Sequence, residues 1–269
     1  MRFLSTLRAG CGILALLSTL PGCASWPSED FPVIDWVKMV VAPGKLTVCT
    51  HLPFAPFEAV IDGRTVGFDV DLVRLLAADV GLELDVVDTE WTQITSGAAL
   101  RTRRCDLAMG AITITAERRE RMTMTAPYLD ATQVLLVGSA SPYRSLADLS
   151  GRSIGVEAGS TGEAFAVGAK RFGLEVIPFS TLTEQLTALR AGLVEAVIND
   201  NTVLYGIVHR STDIRLAGEF NTGERYAFGA ATDGAGPQLA HHLDVVLTAA
   251  RSDGRFGAIH RKWFGTSPS

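Results

Sequence analysis

An arginine near the middle of the chain is a candidate for binding a carboxylate. Arg118 follows residues Thr113 to Glu117, which come directly after an apolar segment and include threonine hydroxyl groups. The planar guanidinium group of arginine can bind both oxygens of a carboxylate, and the Thr113 hydroxyl could assist. The alternative is that Arg118 is one solvated charge in the helix start Glu117 to Arg121, and charge pattern alone favours that alternative.

An acidic residue in the second half of the chain is a candidate for binding a cation. Asp200 closely follows the apolar strand Ala196 to Ile198, at the carboxyl end where α/β sheets meet their ligands. It could bind an ammonium group or cap the helix that follows. Earlier, the loop Gly159 to Gly162 offers Ser160, Thr161 and backbone N–H groups to an anion, although glycine and serine mark any turn.

Two aromatic residues and a histidine could line the same site. Phe54 and Trp91 would give a ligand contact area and orientation at low entropic cost, and either ring could instead belong to the core. His51 could contact a polar or acidic ligand side chain, or face solvent at the rim of a cleft.

Two series of alternating strands and helices would position these residues. The first begins with strand Leu46 to Cys49 and an amphipathic helix near Asp71 to Val80, and the second occupies residues 152–198. The apolar segments Gln133 to Val137 and Tyr226 to Gly229 are predicted to cross between the two series as strands. We therefore expect an α/β fold of two βαβ lobes, with central, mainly parallel sheets joined by a two-stranded hinge.

The N-terminus has the pattern of an export signal. Two arginines precede an apolar run that is too short to span a bilayer comfortably, so residues 1–22 should be absent from the folded domain. The tetrapeptide Leu20 to Cys23 resembles the bacterial lipoprotein cleavage box, in which Cys23 would carry a lipid anchor such as palmitate. Pro21 departs from the small residue usual there, and ordinary signal-peptidase cleavage is the alternative.

The remaining boundaries follow from composition and from the crossing strands. We expect residues 23–43 to form a mobile tether, with some order around Phe31 to Val41. Lobe 1 would consist of residues 44–133 and 229–269, and lobe 2, with the hinge strands, of residues 134–228.

Charge and cysteine content narrow the possible functions. Loss of residues 1–22 leaves 22 basic and 29 acidic residues, a net charge of −7, which argues against nucleic acid as a partner. Cys11 leaves with the signal and Cys23 is the predicted lipid site. Cys49 ends one predicted strand and Cys105 begins another, so parallel strands would hold the two thiols at opposite ends of the sheet. We therefore expect unpaired cysteines in the core.

Several motifs, in this order, resemble those of one protein family. They are Pro56 to Glu58, Gly67 to Leu72, Thr113 to Arg118, Ala126 to Tyr128, Gly159 to Gly162, Asn199 to Asp200 and Lys262 to Phe264. Together, over about residues 45–265, they are similar to the extracellular solute-binding proteins of polar amino-acid ABC transporters, which are two-lobed periplasmic binding proteins. The resemblance implies a non-catalytic monomer, on the periplasmic or cell-surface side, that needs no cofactor.

The resemblance also implies roles for the candidate residues. Arg118, Thr113 and the loop containing Ser160 and Thr161 would bind the carboxylate of a free amino acid. Asp200 and the backbone carbonyl of Ala111 would bind its ammonium group. Many relatives carry an acidic or amide residue where this chain has His51, so a strong preference for lysine or arginine is put in doubt. The complex would deliver the amino acid to a membrane permease.

Three other interpretations remain. A catalytic descendant of the fold, similar to cyclohexadienyl dehydratase, would need a general acid, and Glu157, Glu163 and His51 are the available candidates. A ligand-sensing receptor subunit would signal through a separate membrane protein. A metal site is the weakest interpretation, because neither Cys49 with His51 nor the pair His241 and His242 makes a closed ligand set.

Overall fold

The computed structural model describes residues 35–265, in which strands and helices alternate along most of the chain. Its strands are β1 (Lys45–Thr50), β2 (Ala59–Ile61), β3 (Arg64–Val66), β4 (Glu83–Asp88), β5 (Leu107–Thr113), β6 (Thr123–Met124), β7 (Leu129–Gly138), β8 (Ser153–Glu157), β9 (Glu175–Phe179), β10 (Ala196–Asp200) and β11 (Ile214–Ala230). Its helices are α1 (Trp36–Met39), α2 (Phe68–Asp79), α3 (Trp91–Thr95), α4 (Ala98–Arg101), α5 (Ala116–Arg121), α6 (Thr161–Gly168), α7 (Leu182–Arg190), α8 (Asn201–His209), α9 (Gly236–Ser252) and α10 (Arg255–Phe264). The short segments Ala147–Leu149 and Lys170–Phe172 are 3-10 helices.

The first lobe is built on three parallel strands. β1 lies between β4 and β5 and pairs in parallel with both. Nearly every residue of β1 and β5 is buried, as expected for parallel strands covered on both faces. Helix α2 covers the sheet and packs against α9 and α10, so the end of the chain completes this lobe.

The second lobe repeats this arrangement. β8 lies between β9 and β10 and pairs in parallel with both. Helices α6 and α7 pack on these strands. Each helix begins at a side-chain cap, with the Ser160 hydroxyl accepting a bond from the Glu163 N–H and Thr181 doing the same for Glu184.

Two long strands join the lobes. β7 and β11 pair antiparallel with each other, β11 continues onto β5 of the first lobe, and β7 pairs with β10 of the second. Nine of the described strands thus form one mixed sheet in the order β4-β1-β5-β11-β7-β10-β8-β9, with β6 paired to β11. The α/β fold of two βαβ lobes joined by two strands is confirmed.

Some local elements differ from the prediction. The sequence pattern near Gln93 to Thr102 predicts one helix, which the structure divides into α3 and α4 at Gly97, whose φ is +69°. A Cβ atom there would lie 2.7 Å from the carbonyl oxygen of Arg121, so the break is sterically specified. The hairpin of β2 and β3 had not been anticipated.

The expectation of two unpaired cysteines is wrong, because Cys49 and Cys105 form a disulfide with their Cα atoms 5.7 Å apart. The reason is the stagger of the two strands. β5 begins only at Leu107, which lies beside Val48 near the carboxyl end of β1. Cys105, in the bend that precedes β5, therefore reaches Cys49. The disulfide joins a buried cluster with Ile94, Leu100 and other apolar side chains.

Residues 35–43, assigned to the tether in the sequence analysis, make contacts with the domain. Trp36 packs against the core, Val40 is buried, and the backbone N–H of Val41 donates to Asp106. The predicted signal, residues 1–22, and the predicted lipid site Cys23 lie outside the described residues. Within residues 35–265 no helix combines the length and apolar character needed to cross a membrane.

The motif residue Asp71 holds the last helix onto lobe 1. Its carboxylate accepts hydrogen bonds from Lys262 Nζ at 2.6 Å and from Trp263 Nε1 at 2.8 Å. Arg74, one turn further along α2, donates to the other carboxylate oxygen. Two motifs that lie about 190 residues apart in the chain thus have one structural task, the docking of α10.

Candidate ligand-binding cleft

A cleft between the two lobes contains all of the side chains proposed above to bind a ligand. About 420 Å³ of space lies within it, part of which is open to solvent. From lobe 1 it is lined by His51, Phe54, Trp91, Gly110, Ala111, Thr113 and Arg118, and from lobe 2 by Glu157, Ser160, Thr161, Asn199 and Asp200. Residues from distant parts of the sequence therefore meet at the carboxyl ends of β1, β5, β8 and β10, as the parallel arrangement of the strands requires.

Arg118 is buried and held in place, which excludes the solvated-charge alternative. Its own N–H bonds to the Thr115 hydroxyl, which caps α5. The guanidinium donates to the carbonyl oxygen of Thr113 at 2.9 Å and, across the cleft, to that of Gly159 at 3.1 Å. Burial lowers the pKa of Arg118, and the nearby Asp200 opposes this change. An arginine side chain nevertheless stays charged at neutral pH.

The backbone beside Arg118 is held in an unusual conformation by Asp69. Ala111 has a φ of +51°, a left-handed conformation that is unfavourable for a residue with a Cβ atom. The Asp69 carboxylate accepts bonds from the N–H groups of Gly110 and Ala111 and from the Tyr128 hydroxyl. Because one oxygen receives these three bonds, the turn that carries the Ala111 carbonyl is fixed from beneath.

A second buried acid lies against Asp69. Burial and the charge of Asp69 raise the pKa of Glu58 well above its usual range, and burial raises the pKa of Asp69 to about 6. Burial therefore favours the protonated form of Glu58. The motifs that contain these two residues support the cleft and do not line it.

Glu224 was missed by the sequence analysis. It lies on β11 between the lobes, is buried, and accepts bonds from the hydroxyls of Thr113 at 3.1 Å and Thr161 at 2.8 Å. These two threonines belong to opposite lobes and are 3.3 Å apart. Gln133 of β7 donates to the same carboxylate. Glu224 thus connects both lobes at the base of the cleft.

Asp200 is buried at the end of β10. It is the N-cap residue of α8, yet its side chain makes no capping bond, so helix capping does not explain its presence. The carboxylate instead accepts bonds from Gln133 and from the Tyr226 hydroxyl of β11. Burial and the charge of Glu224 raise the pKa of Asp200 to about 6. The charge of Asp200 is therefore unfavourable in these surroundings, even with Arg118 nearby.

The loop before α6 presents its backbone and hydroxyl groups to the cleft. Glu163 accepts a bond from the Gly159 N–H at 2.7 Å, while its own N–H bonds to the Ser160 hydroxyl. This pair stabilises the start of the helix, which gives Glu163 a structural role. Thr161, the first residue of α6, lines the cleft beside Thr113.

Three rings form part of the lobe 1 wall. Arg118 lies 5.5 Å from the centre of the Trp91 ring, and Phe54 stacks on Phe57. The His51 Nδ1 atom is 3.2 Å from the carbonyl oxygen of Thr89 and must carry the hydrogen, because a carbonyl oxygen only accepts. When the ring is neutral, its Nε2 atom is an acceptor. The Nε2 of His51 and the Nε1 of Trp91 are both buried without a hydrogen-bond partner among residues 35–265.

Glu157, considered from the sequence only as a candidate general acid, is a further acidic residue of the cleft. It ends β8, is 4% exposed, and its carboxylate accepts one long bond, 3.4 Å, from the Asn199 side chain. Burial raises the pKa of Glu157 to about 7. Its position after an apolar strand is the same signal that identified Asp200.

A family model for bacterial extracellular solute-binding proteins, family 3, matches residues 46–266. The chain belongs to this family. Membership means a location outside the cytoplasm, periplasmic or at the cell surface.

Individual relatives agree with this assignment. The chain is 31% identical over 209 residues, 77% of its length and 76% of the relative's, to the ABC transporter glutamine-binding protein GlnH of Bacillus subtilis. Among solved structures it resembles the arginine-, lysine-, histidine-binding protein ArtJ of Geobacillus stearothermophilus, with 32% identity, a TM-score of 0.75 and coverage of 84% of this chain and 97% of that one. It also resembles an ancestral arginine-binding protein bound to glutamine, with 30% identity, a TM-score of 0.77 and coverage of 82% and 98%. Because the relatives differ in the amino acid they bind, similarity alone does not identify the ligand.

The two histidine pairings considered for a metal have other partners. Cys49 is in the disulfide, and His242 Nε2 lies 2.7 Å from Asp79 on the surface of lobe 1. Throughout the described part of the chain, no group of three or more potential ligands is assembled for a metal ion.

Proposed function

We propose that the protein captures a free α-amino acid between its lobes and delivers it to the permease of an ABC transporter. One observation carries the proposal: Arg118 of lobe 1 and Asp200 of lobe 2, two buried groups of opposite charge, line one cleft. An α-amino acid carries one charge of each sign, and burying either without a partner would cost several kcal/mol.

In the proposed complex the ligand carboxylate lies against lobe 1 and α6. Arg118 would bind it through its guanidinium, with the Ser160 hydroxyl and the backbone N–H of Thr161 as further donors. The N-terminal end of α6 adds backbone N–H groups that favour a negative charge. The hydroxyls of Thr113 and Thr161 each have one hydrogen, which Glu224 accepts, so these two groups would connect the lobes and would not donate to the ligand.

The ligand ammonium would bind Asp200 and the Ala111 carbonyl. A cation beside Asp200 would remove the unfavourable charge that burial creates there. Since the ligand touches both lobes, binding would favour the closed arrangement in which Arg118 donates to Gly159. The closed complex would then dock on the permease.

Export and lipid anchoring through Cys23 complete the proposal. The Cys49–Cys105 disulfide supports an oxidising compartment, where such bonds persist. The acylation is tested by mass spectrometry of protein extracted from membranes, which should detect a diacylglyceryl-modified Cys23 as the first residue. An unmodified N-terminus elsewhere would favour ordinary signal-peptidase cleavage.

The binding proposal is tested by calorimetric titration of protein that begins at residue 24. Carried-over ligand is first removed by unfolding and refolding without reductant, and each of the twenty amino acids is then titrated. We expect micromolar or tighter binding of one chemical group of amino acids, and a loss of at least about 30-fold in Arg118→Met. Arg119→Met is the matched control, because Arg119 is exposed on the same helix.

Absence of binding to every amino acid would reject this function and favour a sensor of another ligand or an enzyme. Equal binding by Arg118→Met and the unsubstituted protein would reject the assigned pose. The interpretation as a non-catalytic binder is supported by the relatives described above, which are named for the amino acids they bind.

A further inference from the structure

We propose that Glu157 selects amino acids whose side chain is positively charged, with arginine as the best fit. This inference rests on the proposed function, since it concerns the part of the cleft beyond the groups that would bind the ligand's backbone atoms. It assigns a role to the Glu157 carboxylate, which binds neither the ammonium nor the carboxylate of the ligand in the proposed complex.

Once the ligand's own charges are paired, Glu157 is left without a cationic partner among the described residues. Arg118 is balanced by a ligand carboxylate, Asp200 by a ligand ammonium, and Glu224 receives bonds from two threonines and Gln133. Glu157 has only the long bond from Asn199 among the contacts of the described chain. A cation on the ligand side chain would supply the missing charge.

The geometry of the wall opposite Glu157 is consistent with such a ligand. Glu157 lies in lobe 2, and His51, Phe54 and Trp91 line the cleft from lobe 1. The unpartnered Nε2 of His51 is an acceptor while its Nδ1 donates to Thr89, so a ligand donor would find one acceptor on each lobe. The rings of Phe54 and Trp91 provide flat surfaces, on which a guanidinium group stacks well.

This arrangement also explains how a basic ligand could bind although the described lining from lobe 1 contains His51 and no carboxylate. The negative charge would come from the other lobe. Glutamine is the strongest competitor, because the Trp91 N–H could donate to its side-chain carbonyl. Glutamine, however, has no side-chain charge. It would form neutral hydrogen bonds with a protonated Glu157, or it would leave the charge of an ionised Glu157 unbalanced.

The test compares L-arginine with L-citrulline, which has nearly the same shape and no side-chain charge, and with L-glutamine. Calorimetric titration of the refolded protein should give an arginine affinity at least about 30-fold above those of citrulline and glutamine. In Glu157→Gln, the arginine affinity should fall by about 30-fold or more, while the citrulline affinity changes by less than about threefold. Glu175→Gln, an exposed change of the same charge in the same lobe, should alter neither affinity.

A pH series provides a readout that a merely structural role would not move. Glu157 must be ionised to pair with a cation, so between pH 8 and pH 6 the unsubstituted protein should lose about tenfold more arginine affinity than Glu157→Gln. The other titratable groups facing Glu157, Asp200 of β10 and His51 of lobe 1, together with Arg118 and Glu224, are present in both proteins. Their own titration contributes in both proteins, so the difference between the two pH profiles reports mainly on Glu157.

The outcomes separate this inference from the proposed function. Binding of glutamine or citrulline as tightly as arginine, with Arg118 still required, would overturn the role of Glu157 and leave amino-acid capture standing. Equal losses of arginine and citrulline affinity in Glu157→Gln would also overturn it, because the residue would then act only on the structure. Failure of every amino acid to bind would overturn both proposals.

Discussion

Replacing Asp200 with asparagine should stabilise the ligand-free protein relative to the unsubstituted protein, by an amount that grows as the pH rises. The same substitution should weaken ligand binding. Burial and the neighbouring Glu224 raise the pKa of Asp200 from 3.8 to about 6. That difference corresponds to about 3 kcal/mol of unfavourable free energy for the charge in the ligand-free fold.

The sign follows from the order in which the two states lose their protons. As the pH rises from 4 to 6, Asp200 ionises in the unfolded chain before it does so in the fold, so the fold loses stability over that range. The asparagine side chain of the variant has no proton to lose. The free energy of unfolding of Asp200→Asn, minus that of the unsubstituted protein, should therefore increase by up to about 3 kcal/mol between pH 4 and pH 7.

Ligand binding should respond in the opposite direction. The substitution removes the proposed partner of the ligand ammonium, which should weaken binding by about 2–5 kcal/mol, or from about 30-fold to several thousand-fold. The assays are urea denaturation of ligand-free protein at several pH values and calorimetric titration at pH 7. Asp213→Asn is the control, since Asp213 is exposed in lobe 2 and pairs with Arg190 on the surface.

Two results would refute this reasoning. A difference in unfolding free energy that does not change with pH would mean that Asp200 carries no unfavourable charge in the fold. Unchanged ligand affinity would mean that Asp200 does not bind the ammonium group. A rise in stability together with a loss of affinity is the combination expected of a site built for a cation that is absent.

Two further predictions concern stability alone. The double substitution Cys49→Ala, Cys105→Ala should lower the free energy of unfolding in urea by about 4 kcal/mol, a value that follows from the 56-residue separation of the two cysteines. The folded variant should keep its ligand affinity. An unchanged midpoint of urea unfolding would contradict this prediction. Asp71→Ala removes the acceptor for Trp263 and Lys262 and should cost about 1–3 kcal/mol by the same assay, with ligand affinity retained. Asp79→Ala, an exposed change on the same helix, should cost less, and an equal loss would show that the docking of α10 does not depend on Asp71.

The overall fold was readable from the sequence because each lobe repeats a strong pattern. Runs such as Leu46 to Cys49 and Ala196 to Ile198 are buried throughout, as parallel strands covered by helices require. The candidate site followed from the same rule, since Asp200 and the loop Gly159 to Gly162 closely follow such strands. The structure places these residues in one cleft.

The errors arose where the answer depends on how strands are aligned. The disulfide was missed because strand order does not give the stagger of β5 against β1, and this stagger brings Cys105 to Cys49. Glu224 was missed because it lies where β11 shifts its register against β7, between Phe220 and Glu224. Burial alternates along residues 219–226, but Asn221 to Arg225 include no large apolar side chain, so the sequence does not show which face is buried.

The role of Asp71 depended on contacts between distant parts of the chain. Its motif was recognisable from the sequence, but its partners Lys262 and Trp263 lie at the other end of the protein. A motif identifies a residue as important without distinguishing ligand contact from structural support. In this chain Arg118 lines the cleft, Asp69 holds the backbone of its wall, and Asp71 holds α10 in place.

The late position of β11, α9 and α10 in the sequence affects the order in which the protein can be assembled. Strands β7 to β10 lie within residues 129–200, so lobe 2 has most of its sheet soon after that segment emerges during synthesis or export. Lobe 1 begins earlier in the chain, yet it lacks its antiparallel partner strand and two covering helices until the last residues arrive. The first-made lobe is therefore the last to be completed, and a chain shortened before α9 would leave the apolar face of α2 open to water.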